Sequence, residues 1–214
     1  LPKEETLQRM IAFVGETEPD LEFGYRTLLL VSVSGETLLA MKQDKGELFT
    51  YQMQERDADM SMLIPGTEMH VLCTTDTVLY VEETSPSAFS LEAVWIKGNE
   101  GQELTIKYGE KEFALANYDA EYHGYEDIAD IVIKDGGIAS VSVYTDKVNA
   151  RLLSIRNQRI ELEEVGTFPY SDQIQVYKLF GEYEPYTLSD LKIGYAFTDF
   201  VFNDKKEIVA ALVS

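Results

Sequence analysis

Between Tyr25 and the end of the chain, apolar runs are short, alternating or four to eight residues long. Gly, Asp, Asn or Pro bounds most of them. A chain punctuated this often cannot hold long helices, so it must bury its apolar residues as strands. The runs predict strands at Thr27–Ser34, Thr37–Lys42, Glu47–Met53, Glu68–Cys73, Val78–Glu83, Glu92–Lys97, Glu103–Tyr108 and Lys111–Ala116. They continue at Asp130–Lys134, Ile138–Tyr144, Arg151–Arg156, Arg159–Glu163, Gln173–Lys178, Tyr195–Phe202 and Ile208–Val213. The expected fold class is all-β, mainly antiparallel, in small barrel or sandwich modules. The exception is the N-terminus, where Leu7, Met10, Ile11 and Val14 make an apolar stripe at helical spacing. Pro2, Glu4 and Glu5 suit a helix start and Gly15 its end, before Pro19 and Asp20 break the pattern.

The strands fall into three copies of one unit, spaced by roughly 60 residues. The last copy opens with LLSIRNQRIELEEVGTFPY, continues through SDQIQVYKL and closes with the hairpin LKIGYAFTDFVFNDKKEIVAALV. The middle copy opens with AVWIKGNEGQELTIKYGEKEF, passes the tyrosine-rich NYDAEYHGYEDI and closes with ADIVIKDGGIASVSVY. The first opens with LLLVSVSGETLLAMKQDKGELFTYQM and closes with GTEMHVLCTTDTVLYVEE. Each reads strand, turn, strand, glycine-containing turn, aromatic strand, linking loop, closing hairpin. The resulting division is a helix and linker over 1–20 and β-modules over 21–90, 91–148 and 149–214. The closing turns TTD, KDGG and NDKK carry polar residues suited to tight turns, so their aspartates read as turn formers.

Charge narrows the partners. The chain has 38 acidic against 18 basic residues, a net charge of −20. It repels phosphate backbones and anionic lipid, so nucleic acid is not an expected partner. No apolar run reaches the roughly 18 residues of a spanning helix, so no membrane insertion by this segment is expected. The single cysteine, Cys73, excludes an internal disulfide. The chain begins LPKEET, without an initiator methionine, which reads as the start of a trimmed or processed product and leaves open whether a leader or anchor once preceded it.

Catalytic signatures are absent. The nearest match to a nucleophile elbow, SVSGE, lacks its first glycine, and there is neither a P-loop nor a G-x-G-x-x-G. His70 and Cys73 form an H-x-x-C, but residues three apart on a strand face opposite ways. In NYDAEYHGYEDI the alternate Asn117, Asp119 and Glu121 resemble a calcium loop, yet Tyr122 stands where its glycine belongs and Ile128 where its closing glutamate belongs. No metal, cofactor or catalytic residue is therefore expected. With 38 acidic residues, a hydrolytic carboxylate pair cannot be singled out. The candidate binding residues are loop tyrosines, Tyr118, Tyr122 and Tyr125 in the middle copy and Tyr183 and Tyr186 in the last, whose rings suit sugar stacking or a protein anchor. Trp95, between Val94 and Ile96, reads as core.

The span from about 125 to 214 resembles the β-rich accessory region ahead of the catalytic domain in clostridial stage II sporulation protein D (SpoIID)/LytB-domain proteins. The carrying phrases are the D-x-x-I strand of DIADIVIKDGGI, its GGI turn, and the closing IVAAL. The resemblance implies an exported, cell-wall-associated protein active in sporulation or wall remodelling, with peptidoglycan or a cell-wall protein as partner. That family's catalytic glutamate and A-R-T helix are not found here, so no catalytic role passes to any residue. The expected function is a non-catalytic accessory region positioning a wall hydrolase or contacting glycan. The alternatives are a carbohydrate-binding module using the loop tyrosines, a hydrolase with an unrecognised carboxylate pair, and a spacer.

Overall fold

A computed structural model describes residues 8–9, 12, 23–42, 46–54, 63–179, 187–194 and 197–213. The helix expected over 1–20 lies outside them, apart from Gln8, Arg9 and Ala12, which are helical and exposed. Apart from these and one short 3₁₀ turn, Leu188–Asp190, the regular structure among the described residues is strand. The protein is all-β.

The strands close into three five-stranded barrels. The first holds β1 (Gly24–Ser34), β2 (Thr37–Lys42), β3 (Leu48–Met53), β4 (Thr67–Cys73) and β5 (Thr77–Pro86). The second holds β6 (Ala88–Asn99), β7 (Glu103–Tyr108), β8 (Lys111–Asn117), β9 (Asp127–Lys134) and β10 (Gly137–Val143). The third holds β11 (Asp146–Arg156), β12 (Arg159–Leu162), β13 (Gly166–Lys178), β14 (Phe197–Phe202) and β15 (Ile208–Val213). In each barrel the spatial order is first, second, third, fifth, fourth, closing back on the first. β3 runs parallel to β5 and β13 to β15, while β1–β4 and β11–β14 close antiparallel. This is the order of an OB-type Greek-key barrel. Closure removes the exposed sheet edges that an acidic chain of short strands would otherwise leave open to pairing.

Turn chemistry explains the hairpins. Asp135 and Gly136, and likewise Asn157 and Gln158, all have positive φ, as a two-residue type I′ turn requires. In the last hairpin the Asn203 side-chain oxygen accepts the backbone N–H groups of Lys205 and Glu207. The polar turn residues thus supply backbone geometry, and side-chain acceptors hold it.

The chain divides into two compact units, residues 1–89 with 133–137, and residues 90–132 with 138–214. The first has a core of Leu28, Leu30, Leu38, Tyr51, Met69, Val71, Cys73 and Val78. There Gly66, at φ +83°, lies so near Lys134 that a Cβ would stand 2.6 Å from the Lys134 Cα. In the second unit, Leu152, Ile160, Leu162, Phe200, Phe202 and Ile208 fill the third barrel. A further buried cluster joins the second and third barrels through Ala93, Trp95, Ile128, Tyr177, Val201, Val209 and Ala210. It draws on the outer face of the third barrel: Val176 points into that barrel's core, and its neighbour Tyr177 points out.

Candidate functional site

The loop from Tyr118 to Glu126 links β8 to β9, and a chain of hydrogen bonds braces it. Asn117 Oδ1 accepts the Asp119 N–H at 3.1 Å, and Asn117 Nδ2 donates to the Tyr122 carbonyl at 3.3 Å. Asp119 accepts from the backbone N–H of Glu121 at 3.0 Å and of Val141 at 2.8 Å. Asn99 Nδ2 donates to the Gly124 carbonyl at 3.2 Å. A Cβ on Gly124 would collide with the Asp127 carboxylate and the Tyr122 ring, so a larger residue there would push apart the pair that holds the loop.

This frame sorts the candidate tyrosines. Tyr118 is 58% exposed and Tyr125 67% exposed. Tyr122 is only 8% exposed, and its O–H donates to Asp127 Oδ2 at 3.0 Å. Burial, then the bond to Asp127, pushes its phenol well above the ordinary tyrosine range. Tyr122 holds the loop, whereas Tyr118 and Tyr125 present their rings. Tyr183 and Tyr186 lie outside the described residues. The loop's calcium-like residues serve the backbone: both oxygens of Asp119 accept N–H groups. Among the described residues no group of three or more His, Cys, Asp or Glu is placed to hold a metal.

The other sequence candidates sit apart from this loop. Cys73 is buried in the first barrel, while His70, four-tenths exposed, stacks on Tyr25 and lies 2.8 Å from Glu82. The two share no site. Trp95 is buried at the junction of the second and third barrels.

A groove that the sequence did not reveal runs along the second unit. Two adjoining hollows, of about 420 and 480 Å³, share Glu92, Ser171 and Glu207. Asp130, Tyr144 and Asp204 line the first of them. The Tyr144 O–H donates to Asp130 Oδ1 at 2.8 Å, and the same oxygen accepts the Ala93 N–H at 2.9 Å. Burial, the bond to Asp130 and the charges of Asp130, Glu92 and Asp204 push the Tyr144 phenol well above its usual range. Tyr170, Ser171, Asp172 and Gln173, which line the second hollow, fall at a register break in β13, which pairs at Tyr170 with Ile208 and next at Gln175 with Ala210. The polar SDQ after Pro169, interrupting a strand, is the one sequence signal of that break.

Among the described residues no helix is long and apolar enough to cross a membrane. No protein-family model matches the chain, and no curated protein matches it.

Proposed function

We propose that this chain is a non-catalytic scaffold region of an exported, wall-associated bacterial protein of sporulation or wall remodelling, and that Tyr118 and Tyr125 contact peptidoglycan glycan. The observation that carries this reading is the pair of exposed rings on a loop braced from both ends. Rings held out on a fixed frame lose little conformational freedom on contact, and a phenol offers both a stacking face and a hydroxyl. Barrels of this order serve elsewhere as platforms for oligosaccharides and oligonucleotides. A net charge of −20 turns this one away from the polyanion. The resemblance of residues from about 125 to 214 to SpoIID/LytB-associated regions supplies the wall context.

The test is co-sedimentation of the purified chain with insoluble peptidoglycan at rising salt. Binding should persist at high salt, because stacking is not screened as ion pairing is. Tyr118→Ala and Tyr125→Ala should each weaken it roughly three- to tenfold, as the loss of one stacked ring does. Binding that is absent, or that survives both substitutions, contradicts the proposal and favours a spacer.

A further inference from the structure

We infer that the second and third barrels move as one rigid body in solution, and that the buried Tyr177 is the pin that fixes them. Three separate features converge on this. The linker between the barrels is only Tyr144 and Thr145. Tyr144 is tied at both ends, its N–H donating to the Ile128 carbonyl at 2.9 Å and its O–H to Asp130 at 2.8 Å. Both partners lie on β9 of the second barrel, so Thr145 alone is left between that barrel and β11.

The second feature is the junction core. Ala93, Trp95 and Ile128 of the second barrel pack with Tyr177, Val201, Val209 and Ala210 of the third. Apolar surface closed over in this way resembles the interior of a domain rather than the polar contacts of mobile neighbours. The Trp95 and Tyr177 rings lie 5.8 Å apart at a tilt.

The third feature is the Tyr177 phenol itself. Tyr177 is fully buried on the third barrel. Its hydroxyl meets two carbonyls of the second barrel, Ala93 O at 2.8 Å and Lys107 O at 3.2 Å. A buried hydroxyl must find a partner, and here both acceptors belong to the other barrel. Rotation of one barrel against the other would strand that hydroxyl in an apolar setting. Nearby, Gln175 Oε1 accepts the Gly109 N–H at 3.1 Å across the same junction. The two barrels are therefore a single body, whatever the tyrosine loop binds.

Trp95 is the only tryptophan in the chain, so its fluorescence reports this junction alone. The experiment uses the full chain. Residual dipolar couplings from the second and third barrels are fitted separately, and urea unfolding is followed by Trp95 emission and by amide signals of β11 and β14. One common alignment tensor and coincident transitions are expected. Tyr177→Phe, which keeps the ring and removes the hydroxyl, should shift Trp95 emission and split the transitions or the tensors. Two different tensors in the unsubstituted chain would overturn the rigid body, and this measurement stands even where the variant fails to fold. A Tyr177→Phe chain with one tensor and coincident transitions would overturn the role of the pin.

Discussion

Asp130 accepts two hydrogen bonds on a single oxygen, one from the Ala93 backbone and one from the Tyr144 phenol. Ala93 sits at φ +52°, a left-handed conformation that costs a non-glycine residue on the order of 1 kcal/mol, so the bond helps to hold it. Asp130→Ala leaves both donors unpaired and should destabilise the chain by about 1–3 kcal/mol in urea titration. Buried phenols set an alkaline limit, with the fully buried Tyr177 raised as well as Tyr122 and Tyr144. Tyr122 and Tyr144 both have pKa values raised in the folded state, above a reference of 10.0. A group that prefers its neutral form when folded adds stability in full below its unfolded pKa. That stability is lost as pH rises through the folded value. Unfolding free energy should therefore fall with alkalinity above about pH 10, and the fall should shrink in a Tyr122→Phe, Tyr144→Phe double variant. The sequence placed tyrosines in this loop but could not separate Tyr122 from Tyr118 and Tyr125. Ring direction depends on Asp127 and Gly124 closing around one of them, which spacing does not encode.

At the scale of elements, the strand positions were largely legible, because turn residues bound most runs. Thr37–Lys42, Glu103–Tyr108 and Ile208–Val213 were read to the residue. Two strands extend beyond their apolar runs: β6 begins at Ala88 instead of Glu92, and β13 at Gly166 instead of Gln173. What went unread was two-sided burial. The runs AVWI in β6 and IVAAL in β15 lack polar alternation, the pattern of a strand covered on both faces. In β15, Ile208 and Ala211 face the barrel core, and Val209 and Ala210 face the junction. Val201→Ala, on the outward face of β14, should accordingly cost about 2 kcal/mol in chemical denaturation, as a core truncation does. An exposed strand face would change by no more than about 0.5 kcal/mol.

For the whole molecule, repetition is the informative level. One grammar of five strands, spoken three times, yields three closed barrels, while compactness divides the chain into two units rather than three. Repeats disclose a supersecondary unit but not which neighbours share a core. That depends on outward residues such as Trp95 and Tyr177, which the repeat pattern does not single out. Truncation before Asp146 should expose the junction face of the second barrel, and the shortened chain should bind an apolar dye that the full chain does not. The most direct test of the proposed function follows tyrosine ring signals by NMR while a soluble, uncrosslinked peptidoglycan glycan strand is titrated into the full chain. Tyr118 and Tyr125 should shift together and saturably, with Tyr122 and Tyr177 nearly still. Unmoved Tyr118 and Tyr125 signals at saturating glycan, or shifts confined to other residues, would contradict a glycan-contacting loop.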